Sequence, residues 1–185
     1  MSPLAPSKLA FVPFVSVANM MKLVNEIGPE QVMRDLAAYI EEDFRRWPDF
    51  DKTPRVASHS AEGVIELMPT ADAENYGFKY VNGHPKNGRT GHQTVTAFGV
   101  LSSVATGYPL LMTEMTMLTA LRTAATSALV GKYLAPKGAT VMGMIGNGAQ
   151  CEFQALAFRA ICGIDTLRLY DIDPTATEKA AKNLT

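Results

Sequence analysis

Gly146-Asn147-Gly148 sits between an apolar run and a helical pattern, and that placement narrows the fold sharply. The run Thr140-Val141-Met142-Gly143-Met144-Ile145 leads directly into Gly146-Asn147-Gly148-Ala149-Gln150-Cys151. Apolar positions then recur as Phe153, Leu156, Ala157, Ala160 and Ile161 until Gly163, and a second short run, Thr166 to Tyr170, ends in Asp171. A short apolar run bounded by glycine reads as a buried parallel strand. The 3.6-residue recurrence after it reads as a helix with one packed face. Strand, glycine turn, helix, strand and acid in this order form the opening half of a doubly wound, dinucleotide-binding unit. A glycine pattern alone is weak, and Cys151 stands where a third glycine often lies, which holds the helix slightly off the strand. The ordered context makes the signal strong.

Each part of the turn has a physical task. Gly146 permits the tight turn, Gly148 lets the backbone approach a pyrophosphate, and the helix N-terminus offers N–H groups and positive partial charge. Asp171 lies where an acid accepts hydrogen bonds from ribose hydroxyls. Its carboxylate repels a 2′-phosphate and no Arg follows closely, so NAD is expected over NADP. Asp173 is a rival ribose ligand, but Pro174 behind it points to a helix start.

Upstream, helical spacing covers about Val17 to Ile27, stops at Gly28, and resumes after Pro29 through Val32, Leu36, Tyr39, Ile40 and Phe44 until Trp47-Pro48. After a polar connection come strand-like runs at Val64–Met68, Phe78–Val81, Val95–Leu101 and Leu110–Met112, the last two joined by a Thr106-Gly107-Tyr108-Pro109 turn. From Gln93 to Gly131 only Glu114 and Arg122 are charged, so this block is expected to be the most buried part of its domain. Met115 to Leu134 reads as a long helix, and Pro136-Lys137-Gly138 breaks the pattern. The expected fold is α/β: an α+β domain over residues 1–135, then the first part of a Rossmann domain over 136–185.

Charge and composition exclude other classes. A net charge of −1 and a pI near 6.3 provide no field for nucleic acid. The apolar stretch from Val95 to Val130 carries Thr, Ser, Gly, Pro, Glu114 and Arg122, so no membrane segment is expected. Leu9 to Val15 after Lys8 mimics a signal-peptide core, but Pro13 interrupts it and the apolar pattern continues to Ile27. Cys151 and Cys162 on one helix are roughly 16 Å apart, too far for a disulfide. His59, His84 and His92 stand singly, without metal-ligand spacing. A reduced, cytoplasmic, metal-free protein is the expectation.

Arg122 is flanked by the small residues Thr123, Ala124, Ala125, Thr126, Ser127 and Ala128. If buried it needs an anionic partner, either structural, such as Glu114, or a bound carboxylate or phosphate. Lys79, Glu66 and Arg55 each sit in or beside apolar strands, where outward-facing alternation explains any one of them.

Taken together, Arg55-Val-Ala-Ser-His-Ser60, Val64-Ile-Glu-Leu-Met-Pro69, Phe78-Lys-Tyr-Val-Asn-Gly-His-Pro85, Leu121-Arg-Thr-Ala-Ala-Thr-Ser127 and Ile145-Gly-Asn-Gly-Ala-Gln150 resemble the ornithine cyclodeaminase and mu-crystallin family, most nearly its bacterial ornithine cyclodeaminases. The resemblance covers nearly the whole chain after the first dozen residues. It implies a homodimer whose first domain binds substrate and dimerises while the second binds NAD. By position, Arg55, Lys79 and Arg122 would hold the carboxylate of L-ornithine, and Glu66 would meet the substrate amines. Thr94 and Arg122 would touch the cofactor, Gly146, Gly148, Ala149 and Gln150 would line the pyrophosphate, and Asp171 the ribose. The implied reaction is redox-neutral overall: hydride leaves the α-carbon for NAD, the δ-amine closes on the resulting imine, ammonia departs, and the hydride returns to yield proline.

The family's catalytic aspartate lies well past the second Rossmann strand, and nothing in this sequence matches it, so it is expected beyond Thr185. The chain is therefore expected to be a fragment, or a truncated product that retains the dimerisation and substrate domain. Residues that read the distal amine of the substrate are likewise expected past Thr185. Three functional expectations follow: an NAD-dependent ornithine cyclodeaminase, a related ketimine reductase or alanine dehydrogenase, or a non-catalytic dimerising or ligand-binding module.

Overall fold

The computed structural model describes residues 11–185; the first ten residues, with the start of the Leu9–Val15 run, lie outside the described residues. Contacts divide the chain into two compact units, one from residues up to 17 together with 48–116, the other from 18–47 and 117–185. The single boundary expected after residue 135 is corrected at this level. The first two helices share a core with the helices around the glycine turn, so the chain changes unit at residues 17, 47 and 116.

The first unit is a six-stranded sheet built from β1 (Phe14–Val15), β2 (Val56–His59), β3 (Val64–Ala71), β4 (Asn75–Gly83), β5 (Val95–Ser103) and β6 (Pro109–Glu114), in the order β1-β6-β5-β4-β3-β2. All neighbours are antiparallel except β1, which runs parallel to β6. Local chemistry closes the hairpins. Asp72 Oδ1 accepts the Glu74 and Asn75 N–H groups at 3.0 and 2.8 Å, and Ser60 Oγ accepts those of Glu62 and Gly63 at 3.2 Å. The runs read from sequence lie within longer strands, those of β3 and β5 starting at the strand's first residue. β1 and β2 are short edge strands of two and four residues, below the length at which alternation is legible.

Strand alternation gives this sheet two unlike faces. Register places Val56, Leu67, Tyr80 and Phe98 in one cross-strand row, with Phe78, Met112 and Phe14 beside it, and Tyr80 stacks on Phe98 at 5.0 Å. Much of this apolar face is open: Phe98 is 43% exposed, Leu67 45%, Val56 66% and Phe14 62%. The opposite face carries Glu66 and Lys79 among Val81, Ala97 and Gly99, which are buried. The expectation that residues 93–131 form the most buried block is thus corrected for β5 and β6, whose low charge reflects an exposed apolar face as much as a core.

The second unit contains α1 (Val17–Ile27, all but its first residue), α2 (Pro29–Arg45), α3 (Thr116–Leu134, from Met117), β7 (Val141–Ile145), α4 (Cys151–Cys162), β8 (Thr166–Tyr170) and α5 (Pro174–Leu184). Its core joins Met33 and Ala37 of α2, Leu121, Ala124, Ala125, Ala128 and Leu129 of α3, and Ala157 of α4. Alanines at three- and four-residue spacing let the helix backbones approach closely, and Gly131 extends this stripe against the Phe158 ring. Pro29 starts α2, and Gly163 ends α4 in a left-handed conformation. Half-buried Glu41 of α2 accepts from Tyr133 Oη, Arg45 and Lys132, and these bonds hold its carboxyl down at a pKa of about 2. β7 and β8 pair in parallel, Val141 opposite Thr166 through Ile145 opposite Tyr170, with α4 as the crossover. No helix among the described residues is long and apolar enough to cross a membrane.

Candidate functional site

The glycine turn forms where β7 hands over to α4. Gly146 has φ 93°, a left-handed value that a side chain would strain, and its N–H donates to Tyr170 O at 2.8 Å, tying the turn to the end of β8. The next N–H groups behave differently. Those of Gly148, Ala149 and Gln150 have no hydrogen-bond acceptor among the described residues, and no side chain caps α4. Three exposed donors at the positive end of a helix are the physical requirement for an anion site. A Cβ built on Gly148 meets nothing within 4 Å, so the protein leaves that side of the turn open.

Asp171, half-buried at the end of β8, faces this turn. Its Oδ2 accepts the Asn147 N–H at 2.6 Å and its Oδ1 the Asp173 N–H at 2.9 Å. These backbone donors, Asn147's first, pull its carboxyl below the usual carboxylate range and fix its orientation. A carboxylate offers about four lone-pair sites, so acceptor capacity remains for a ribose hydroxyl. The rival, Asp173, is spent otherwise: its Oδ1 accepts the Thr175 N–H at 2.9 Å and hydroxyl at 2.7 Å, capping α5. Thr185, beyond which the family's catalytic aspartate is expected, sits at the far end of the same helix. Its N–H donates to Ala181 O at 3.2 Å and its hydroxyl to the same carbonyl at 3.1 Å, so it serves the helix end and not the turn.

Two residues at this turn carry no sequence signal of their role. Asn147 is 4% exposed, its Nδ2 donates to Thr177 Oγ1 at 2.8 Å, and its Oδ1 accepts the Cys151 thiol at 3.6 Å. Thr177 lies on α5, thirty residues on, and only the fold brings it to the turn. Cys151, in the third-glycine position, is buried there, and burial pushes its thiol pKa up.

Arg122 projects from α3 in the same unit. The premise of a buried guanidinium is corrected: Arg122 is exposed and has no ion-pair partner among the described residues. The apolar alanine neighbours face the helical core, whereas Arg122, Thr123, Thr126, Ser127 and Val130 line a shallow cavity of about 470 Å³ on the other side of α3. Glu114, buried at the end of β6, accepts the Thr116 N–H at 2.9 Å.

In the sheet unit, Arg55 and Glu66 meet: the guanidinium Nη1 lies 3.1 Å from Glu66 Oε1, with Glu66 much the less exposed. Register sets Val81 opposite Glu66 and Lys79 two residues along, so Lys79 is the diagonal neighbour of Glu66 on the same face, about 7–8 Å away by strand geometry. Thr94, half-buried just before β5, accepts the His84 N–H at 2.8 Å through its carbonyl. Arg55, Glu66, Lys79 and Thr94 thus belong to the sheet unit, and Arg122 and the glycine turn to the other. No three His, Cys, Asp or Glu side chains among the described residues are grouped to hold a metal ion.

Comparison with known proteins bears on this arrangement. Residues 17–185 match the sequence profile of the ornithine cyclodeaminase/mu-crystallin family. An ornithine cyclodeaminase of Brucella suis biovar 1 (strain 1330) is 70% identical over 176 residues, which is 95% of this chain and 49% of that protein. The chain spans about half the length of the curated relatives it matches. Among solved structures, an archaeal alanine dehydrogenase dimer with bound NAD superimposes with a TM-score of 0.80 at 30% identity, covering 93% of this chain and 52% of that one. The Δ1-pyrroline-2-carboxylate reductase of Thermococcus litoralis, in complex with NADH and L-proline, gives 0.81 at 29% identity, covering 92% and 53%.

Proposed function

This chain belongs to the ornithine cyclodeaminase/mu-crystallin family, and we propose that the protein it represents converts L-ornithine to L-proline and ammonia with NAD as cofactor. The observation that carries this reading is the pairing of 70% identity to an ornithine cyclodeaminase with a turn whose free N–H groups and fixed carboxylate suit a dinucleotide. When bound, NAD supplies a carrier that accepts the substrate hydride and later returns it.

The chain's own residues bind and orient the cofactor and the substrate. The N–H groups of Gly148, Ala149 and Gln150 hold the pyrophosphate, and Asp171 accepts from the ribose hydroxyls and disfavours a 2′-phosphate. Arg55, Lys79 and Arg122 are the cations for the substrate carboxylate, with Thr94 and Arg122 also on the cofactor side. The Arg55–Glu66 pair gives Glu66 a second role: it is the nearest carboxylate to Arg55 and competes with substrate for that guanidinium until the substrate amines arrive. The proton-accepting aspartate is assigned to the part of the relatives' length past Thr185, which this chain does not span.

The protein acts as a homodimer through the open apolar face of its sheet. A row such as Val56, Leu67, Tyr80 and Phe98 left in water is the surface that a second copy covers.

The natural-length protein incubated with ornithine and substoichiometric NAD+ yields proline and ammonia with no net NADH; absence of proline refutes the reading. The fold similarity to an alanine dehydrogenase and a pyrroline-carboxylate reductase supports one rival, which shows itself as stoichiometric NAD(P)H turnover.

A further inference from the structure

The Gly146–Gly148 turn spends two N–H groups on its own fold and leaves the next three open. The Gly146 N–H donates to Tyr170 O at 2.8 Å, and that of Asn147 to Asp171 Oδ2 at 2.6 Å. The Asn147 side chain is buried at 4% exposure in a position that uses both ends of its amide: Nδ2 donates to Thr177 Oγ1 at 2.8 Å, and Oδ1 accepts from Cys151 Sγ at 3.6 Å. One residue therefore bonds to the start of α4, the end of β8 and the first turns of α5.

We propose that Asn147 is a positioning residue for the dinucleotide, and that Thr177 is its anchor. The clasp holds the turn against β8 so that the Asp171 carboxylate and the open N–H groups of Gly148, Ala149 and Gln150 address one ligand. The inference rests on the NAD reading above.

The chemistry requires an amide at this position. A buried site with a hydroxyl on one side and a thiol on the other is satisfied by a group that donates at one end and accepts at the other. A carboxylate at residue 147 would add a second negative charge beside Asp171, and an apolar side chain would leave the clasp unmade. Asp171 gains from the same contact: the backbone bond from Asn147 is the foremost cause of its lowered pKa, so loosening residue 147 loosens the carboxylate. Thr177 serves as the test position because it is assigned no contact with the ligand.

The experiment compares Thr177→Val, which keeps the shape and deletes the hydroxyl, with Thr177→Ser, which keeps the hydroxyl, both in the natural-length protein. NADH and NADPH affinities are read by nucleotide fluorescence, and stability by thermal melting. Thr177→Val should weaken NADH by about 5- to 20-fold, the consequence of one part-buried hydrogen bond lost at the turn. It should also narrow the NADH-over-NADPH preference, whereas Thr177→Ser stays within about twofold of wild type. Unchanged NADH affinity in Thr177→Val, with or without a lower melting temperature, overturns the inference, as does equal weakening in Thr177→Ser. Should Thr177→Val not fold, Thr177→Ala is read on the same scale. Wild-type protein that binds neither nucleotide overturns the NAD reading, and the inference with it.

Discussion

Replacing Gly148 by alanine should move stability and ligand binding in opposite directions. Gly148 does not have a left-handed φ, and a Cβ there meets nothing within 4 Å. The native state accepts the methyl without strain, while the unfolded chain loses conformational freedom, a gain of about 0.4–1 kcal/mol. For a protein of this size that is a rise of about 1–4 °C in Tm. The open side of the turn is where a pyrophosphate must come close to the backbone. A methyl there lengthens at least one charge-assisted hydrogen bond, worth about 1.5–3 kcal/mol, and so weakens NADH binding by about 10- to 100-fold. Differential scanning fluorimetry and NADH fluorescence titration on the same preparation read both. Gly146→Ala is the control: its φ of 93° makes alanine costly by about 1–2 kcal/mol, and Tm falls. The reasoning is refuted if Gly148→Ala binds NADH as wild type does, or if it melts as low as Gly146→Ala.

Asp171→Asn should reduce the preference for NADH over NADPH, measured as a ratio of dissociation constants, because an amide no longer repels a 2′-phosphate. Met33→Ala opens a cavity at a side chain with 0% exposure and should cost roughly 2–5 kcal/mol, read as a lower urea midpoint with unchanged slope. Glu41 titrates at about 2 in the native state against an ordinary 4.5, so its contribution is complete above pH 4.5 and disappears as the pH falls through 2. Wild type and Glu41→Gln should therefore differ in urea stability at pH 6 and converge near pH 2. Phe98→Asp, in the open apolar face, should shift sedimentation from dimer to monomer while far-UV circular dichroism is retained.

The dinucleotide turn is legible because every part of it is local. A parallel strand, a glycine turn, a helix and a second strand follow one another within 32 residues, from Thr140 to Asp171, and each leaves its own periodicity or turn chemistry in the sequence. The same holds for the helix starts at Pro29 and Pro174, and for Asp173, whose capping of α5 is implied by the proline behind it. What the sequence could not reveal depends on residues brought together from a distance. A six-stranded sheet with one face charged and one face open produces the same scarcity of charge in β5 and β6 as a buried block, and only register separates the two. Arg122 reads as buried because its helix is lined with alanine, yet a helix has a second side, and packing on α2 and α4 leaves the guanidinium on it. The Asn147–Thr177 bond and the Arg55–Glu66 pair are likewise products of tertiary structure, since hydrogen bonds and ion pairs across 30 and 11 residues of sequence leave no local pattern. Local sequence therefore determined the turn and its acid, and tertiary packing decided what holds that turn in place and which charges remain available to a ligand.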